Sequence, residues 1–283
     1  MAQLIDGRFI SDKIKNNVKI EVENLKKSGI GVCLAVVLVG NDPASRIYVK
    51  NKRIACEKVG IVSKEIVLDE KISENELLSI ISNLNRDSKI NGILVQLPLP
   101  KHLNETKVIN SIDPLKDVDA FCPINVGKIM IGNCDFLPCT PAGVLDLIDS
   151  TGVSVCGKNC VVIGRSNIVG KPMAMLLLHR SGTVTVCHSR TKDLKTHTQN
   201  ADILISAVGI SNFVKVDMVK PGAIVIDVGI NRGENGKICG DVDFEGVKEV
   251  VGYITPVPGG VGPMTIAKLM ENALKAAKIQ NSI

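Results

Sequence analysis

Apolar positions in this chain follow two periods that alternate along its length. Val32–Val39 is an unbroken apolar run, the pattern of a strand buried on both faces. Pro43–Val59 then switches to helical spacing. Val62–Leu68 reads as a strand and Ser73–Arg86 as a helix, with Ser73 and Glu76 at the spacing of a capping box. Ile90–Leu97 is a further apolar strand, ended by Pro98. Residues 102–138 are less regular and rich in Pro, Asp and Gly, which predicts loops and short helices around a site. A second block begins near Thr140: strand Asn159–Ile163, helix Ile168–Ser181, then strands Thr183–Cys187, Asp202–Ala207, Ala223–Val228 and Val250–Ile254. Strands alternating with helices imply parallel sheets built from βαβ units. The expected fold class is α/β, with two α/β domains, the second a Rossmann-like dinucleotide-binding domain, and a cleft between them. The expected boundaries are 1–139 and 140–263, with the last helix, 264–283, packing back on the first domain.

Composition narrows the function classes. At 283 residues, with 45% apolar and 22% charged residues, the chain has the means to bury two ordinary cores. Aromatic residues make up only 2% and Trp is absent, which argues against base-stacking platforms and sugar sites. The net charge of +5 is mild and its basic residues are dispersed, so nucleic acid is not the expected partner. The nine Cys form no Cys-x-x-Cys pair, and Cys156 with Cys160 has no second pair to complete a zinc site, so no metal is expected. They read as reduced thiols of a cytoplasmic protein. The N-terminal residues lack the apolar core of a secretion signal, and no apolar run reaches membrane-spanning length.

Candidate chemistry starts with Pro258-Gly259-Gly260-Val261-Gly262-Pro263-Met264-Thr265, which opens the last helix. Such a Gly-rich entry to a helix N-terminus suits a phosphate or a flat ring. The second clue follows strand Val161–Ile163: Gly164-Arg165-Ser166-Asn167-Ile168-Val169-Gly170 is a strand–turn–helix junction of the dinucleotide type, although its spacing is not Gly-x-Gly-x-x-Gly. The next strand runs into Cys187-His188-Ser189-Arg190, with no carboxylate for a ribose diol. Arg165, Ser189 and Arg190 suit a 2′-phosphate instead, which favours NADP, unless both arginines are plain surface residues.

The first block holds a separate polar set. Tyr48 and Lys52 lie four apart on one helix face, with Ser45 one turn before Tyr48. Gln96 stands at the carboxyl end of an apolar strand, where ligands of open α/β sheets bind. Asp117 and Asp119 lie in a Pro-bounded loop; either carboxylate suits a cationic or amide-like ring edge, and a local turn is the plainer role for Asp117.

These elements, together with Pro138-Cys139-Thr140-Pro141, occur in the order found in the methylenetetrahydrofolate dehydrogenase/cyclohydrolase family, and the chain resembles that family over nearly its whole length. The resemblance implies that Asp119 grips the pterin edge and Tyr48 packs on the aminobenzoate. It implies that Lys52 is the catalytic lysine, hydrogen-bonded and tuned by Gln96. Pro258, Gly259, Gly260 and Val261 would lie beside folate and nicotinamide. Gly164, Arg165, Ser166, Ile168, Val169, Ser189, Arg190 and Ile230 would contact NADP, with Arg165 and Ser189 at its 2′-phosphate. The implied partners are tetrahydrofolate one-carbon derivatives and a second copy of the chain. One departure is visible: the family usually has Gly after the second Asp of Asp-Val-Asp, and here it is Ala120. That substitution costs little if φ is negative there and about 1–3 kcal/mol if it is positive.

The implied activity is oxidation of 5,10-methylenetetrahydrofolate with NADP, followed by hydrolysis of the methenyl product to 10-formyltetrahydrofolate. A monofunctional dehydrogenase would not need the Tyr48–Lys52 pair, and a non-catalytic dinucleotide-binding protein would not need Lys52, Gln96 and Asp119 together.

Overall fold

The computed structural model describes residues 1–233 and 236–283. The chain opens with a two-residue strand β1 (Gln3–Leu4) and a long helix α1 (Gly7–Lys27). The helix buries Val18, Val22 and Leu25, an i, i+4, i+7 stripe. The chain divides into two compact units, one of 12–139 with 266–283, the other of 1–11 with 140–265.

In the first of these units, β2 (Cys33–Val39), α2 (Pro43–Val59), β3 (Val62–Leu68), α3 (Glu74–Arg86) and β4 (Gly92–Val95) form βαβ crossovers. The sheet is fully parallel in the order β3-β2-β4. β2 sits at its centre, and six of its seven residues are buried, as an unbroken apolar run requires. Helix α2 starts on Asp42, whose carboxylate accepts from the Ser45 N–H at 2.7 Å, and stops at Gly60 with φ 80°. Helix α3 carries the capping box anticipated at Ser73 and Glu76. Strand β4 is shorter than the apolar run 90–97. Ile90 closes a turn onto the Asp87 carbonyl, and the strand ladder ends after Val95. Two short helices, α4 (Glu105–Asn110) and α5 (Pro123–Met130), interrupt the irregular stretch.

The second unit contains α6 (Cys139–Asp149, entering from the preceding unit), β5 (Asn159–Ile163), α7 (Gly170–His179), β6 (Thr183–Cys187), α8 (Leu194–Thr198), β7 (Ile203–Ser206) and β8 (Ile224–Asp227). It continues with β9 (Asn231–Arg232), β10 (Ile238–Cys239), α9 (Phe244–Val247), β11 (Tyr253–Ile254) and the start of α10 (Val261–Gln280). Its main sheet has the order β1-β11-β8-β7-β5-β6, every pair parallel. The order reverses at β5, between its crossovers to β6 and to β7, and ligands of doubly wound sheets bind at the carboxyl ends there. β9 and β10 pair antiparallel.

The sequence placed residues 1–11 with the first block. The parallel pairing of β1 with β11, Gln3 opposite Tyr253, draws them into the sheet of the second unit. The apolar run 250–254 also yields only a two-residue strand, because Val250 and Val251 bond back to the Val247 carbonyl and close a helical turn.

Candidate active site

Three elements of the 12–139/266–283 unit converge on Lys52. It lies in the third turn of α2, whose buried positions Ser45, Val49, Ala55 and Cys56 turn that face toward the sheet. Its Nζ donates to Gln96 Oε1 at 2.9 Å. Gln96 leaves β4 at its carboxyl end: its own N–H still bonds the Val37 carbonyl at 2.8 Å, and its Nε2 donates to the Leu97 carbonyl at 2.7 Å. That second bond orients the amide so that its oxygen faces the lysine.

The loop carrying Asp119 is tied to the same strand end. The Ile93 N–H bonds the Lys116 carbonyl at 2.7 Å, and Ile93 bridges Asp117 in parallel. Gly92 has no Cβ because Val118 packs over it, where a Cβ would come within 2.7 Å of the Val118 Cγ1. Lys116 is buried and gives its ammonium to the Leu84 and Asp87 carbonyls at the end of α3; burial lowers its pKa. Asp117 is fully enclosed, and its carboxylate accepts from the Cys122 N–H at 2.8 Å and the Asn125 amide at 3.0 Å. It therefore serves the loop. Asp119 stays partly accessible, yet burial raises its pKa, and nearby Lys52 offsets part of that rise. Burial in turn lowers the pKa of Lys52, with Asp119 opposing. The direction for both is set by loss of solvent, the leading cause for each.

Two residues not singled out by the sequence complete the cluster. The Cys139 thiol hydrogen-bonds Asp119 and lies 3.5 Å from the Val118 carbonyl; burial beside a carboxylate pushes its pKa well up, so it is a neutral thiol. Asn272, from α10, donates to the Val118 and Leu137 carbonyls at 2.8 Å each. Cys139 lay within a motif that carried the resemblance, but nothing local marked its role. Asn272 looks in sequence like any polar helix residue. Tyr48 sits one turn before Lys52 and is 40% exposed, so its ring is available to a ligand.

Ala120 has φ 58°, inside the left-handed region. Its N–H closes a turn onto the Asp117 carbonyl at 3.1 Å, and its methyl group is fully buried. The alanine thus carries the strain that a glycine there would avoid.

The other unit gathers a second cluster. Gly164 N–H bonds the Cys187 carbonyl at 2.8 Å, so the turn after β5 and the turn after β6 emerge side by side. Gly164 has φ 127°, and a Cβ on it would strike the Ala207 carbonyl oxygen. Ser166 Oγ accepts from the Val169 and Gly170 N–H groups at 3.2 and 3.3 Å and so caps α7. Arg165, Ile168, Ser189 and Arg190 are exposed around this junction, with Val169 half-buried. Among the described residues neither arginine has an ion-pair partner, and no carboxylate stands at 187–190. Two free guanidiniums and a hydroxyl beside a helix N-terminus suit a phosphate monoester on a dinucleotide. Ile230 follows β8 and is half-exposed. In the Pro258–Val261 segment Gly259, Gly260 and Val261 are buried, Pro258 is exposed and Gly259 has φ 121°. These residues belong to the 1–11/140–265 unit, whereas Tyr48, Lys52, Gln96 and Asp119 belong to the other.

The tetrahydrofolate dehydrogenase/cyclohydrolase catalytic domain matches residues 5–119, and the NAD(P)-binding domain of the same family matches residues 138–281. The chain belongs to this family. It is 61% identical over 279 residues to the bifunctional protein FolD of Acetivibrio thermocellus, covering 99% of this chain and 98% of that one. It superposes with a TM-score of 0.97 on the bifunctional methylenetetrahydrofolate dehydrogenase/cyclohydrolase FolD of Campylobacter jejuni, at 53% identity over all of both chains. The Trypanosoma brucei dehydrogenase–cyclohydrolase, solved with NADP and an inhibitor, matches at 36% identity with a TM-score of 0.95, over 100% of this chain and 99% of that one. Family membership makes the chain an α/β enzyme with an NAD(P)-binding domain in its second half. All nine cysteines are free, no His/Cys/Asp/Glu group among the described residues is arranged to hold a metal, and no helix among them is long and apolar enough to cross a membrane.

Proposed function

We propose that this chain is a bifunctional enzyme. It oxidises 5,10-methylenetetrahydrofolate to the 5,10-methenyl compound with NADP, and it hydrolyses that product to 10-formyltetrahydrofolate. The observation that carries this reading is Lys52, held by Gln96 at 2.9 Å beside Asp119 and lowered in pKa by burial. The 12–139/266–283 unit holds folate and the 1–11/140–265 unit holds the coenzyme.

In the oxidation, a hydride leaves the carbon between N5 and N10, and the nitrogen lone pairs stabilise the cation that remains. NADP, when bound, supplies the hydride acceptor. The chain's part is to orient the substrate. Asp119 accepts the paired N–H donors of the pterin edge, Tyr48 stacks on the aminobenzoate, and Pro258, Gly259, Gly260 and Val261 border the folate and the nicotinamide. Gly164, Ser166, Ile168, Val169, Arg190 and Ile230 line the coenzyme, with Arg165 and Ser189 at its 2′-phosphate.

In the hydrolysis, water adds to the methenyl carbon and gives up one proton. The adduct then collapses with cleavage of the carbon–N5 bond, and its hydroxyl proton ends on N5. The net products are the formyl compound and one proton. Neutral Lys52 accepts the proton of the attacking water. A cationic substrate beside Nζ lowers its pKa further, which favours that neutral form. Gln96 takes one N–H of Nζ and so directs its lone pair.

We also place the enzyme in the cytoplasm, as a homodimer. Nine free cysteines, Cys156 among them exposed, suit a reducing compartment. Edge strand β3 exposes Val62 and Val67, which suits pairing with a second copy. Light scattering tests the dimer. The activity is tested by supplying methylenetetrahydrofolate with NADP or NAD and following formation and decay of the methenyl chromophore. Transient methenyl accumulation with NADP, then decay to the formyl product, is expected. Methenyl that persists at its non-enzymatic rate would leave only the dehydrogenase.

A further inference from the structure

Two buried carboxylates, Asp227 and Asp241, stand at the carboxyl ends of β7 and β8, outside the residues assigned so far. Asp241 has no solvent access, and five donors converge on it. Its Oδ2 accepts from the N–H groups of Val208 at 2.8 Å and Gly209 at 3.2 Å and from Ser206 Oγ at 3.3 Å. Its Oδ1 accepts from the Ile210 N–H at 3.0 Å and Asn231 Nδ2 at 2.9 Å. Asp227 accepts from the N–H groups of Gly229 and Asp241 at 2.9 Å and of Val242 at 2.8 Å. Asp227 therefore holds the segment that bears Asp241. Gly229 and Gly240 make room for this: a Cβ on the first would strike the Asp241 carboxylate, and on the second the Asp227 carboxylate.

The surroundings are apolar, with Leu204, Val214, Val225 and Val242 fully or almost fully buried. Burying carboxylates there is unfavourable, and stability alone would be served as well by an apolar plug. What the carboxylate adds is geometry. Four fixed acceptor contacts hold the loop 208–210 after β7 and Asn231 after β8 in one arrangement, and a fifth ties them to Ser206 at the end of β7. Both lie at carboxyl strand ends, where dinucleotides bind in such sheets. Each presents one exposed apolar side chain, Ile210 at 53% and Ile230 at 50%.

We propose that Asp241 is a positioning residue for the coenzyme: it touches no ligand, but by locking the loops of Ile210 and Ile230 it sets the affinity for NADP and leaves the hydrolytic reaction untouched. The proposal rests on the dinucleotide reading of this unit. Asp241→Asn preserves the side chain's shape and turns an N–H₂ toward donors. In a variant with native circular dichroism, the Kd for NADP measured by calorimetry should rise at least tenfold. KM for NADP should rise in parallel and kcat much less, and ring opening of the methenyl compound, assayed without coenzyme, should stay within twofold. An NADP affinity within twofold of wild type overturns the proposal, and so does ring opening that declines in step. Ser206→Ala and Asn231→Ala each delete one donor and keep the test open if Asp241→Asn does not fold. Each should weaken NADP two- to fivefold, and unchanged Kd values in both overturn the assignment. A wild-type chain that binds no NADP in the same calorimetry refutes the coenzyme reading itself, in an arm separate from every variant.

Discussion

Around Lys52, Gln96 and Asp119 the chain gathers polar side-chain groups, whereas the turns after β5, β7 and β8 present mainly backbone, glycine and single apolar or cationic side chains. In the first region the chemistry lies in the residue types themselves. An amine whose pKa burial has lowered can accept a proton, and an amide and a carboxylate beside it set its orientation and its charge. In the second the useful property is shape, held by side-chain acceptors: Ser166, whose Oγ caps α7, and buried Asp241, which grips three successive N–H groups. Replacing Lys52 in the first region should remove one reaction. A substitution in the second should change affinity.

The largest effect should come from Lys52→Met. Ring opening of the methenyl compound should drop by roughly 10²–10⁴-fold, the usual worth of a general base, while hydride transfer stays measurable. Equal loss of both activities in a folded variant that still binds folate would erase the distinction between the regions.

Arg165→Ala tests the other side. Removing a charge-assisted phosphate contact should lower kcat/KM for NADP by roughly 10–100-fold and change that for NAD little. Parallel loss with both coenzymes would mean that Arg165 does not face the 2′-phosphate.

Asp119→Asn sharpens the electrostatic side of the first region. The Asp119 charge favours the Lys52 ammonium, so removing it should lower the Lys52 pKa beyond what burial does. Acylation of Lys52, followed against pH by mass spectrometry, should then reach its plateau at lower pH than in the wild type. A midpoint that moves upward contradicts the pairing.

The smallest effect is expected at Ala120. With φ 58°, the alanine is strained, and glycine relieves that strain against its own larger unfolded-state entropy. Ala120→Gly should stabilise the protein by about 1 kcal/mol in urea unfolding. A destabilised variant would show that the buried methyl group outweighs the strain.

Much of this architecture was legible in the chain because it is encoded locally. The runs that became β2, α2, β3 and β6 announced themselves by period, and the Ser73–Glu76 box by its three-residue spacing. Helix α1 was not read from the sequence, and its stripe of Val18, Val22 and Leu25 lies among many lysines and asparagines. Strand β1 was not visible, since two residues without alternation become a strand only by meeting β11 some 250 positions later in the chain.

The candidate site divides along the same line. Residue types and their order pointed to Tyr48, Lys52, Gln96 and Asp119, and the missing carboxylate at 187–190 pointed to a phosphorylated ribose. Sequence alone left Asp117 and Asp119 as competing carboxylates. Tertiary structure distinguishes them, because Asp117 spends acceptors on Cys122 and Asn125 while Asp119 stays partly accessible. It also recruited Cys139 and Asn272 to the Asp119 loop and Asp241 to the loops after β7 and β8. A side chain's chemical capacity is fixed by its type, but whether its hydrogen-bonding atoms remain free is fixed by what the fold brings against them, and those neighbours lie up to 154 residues away along the chain.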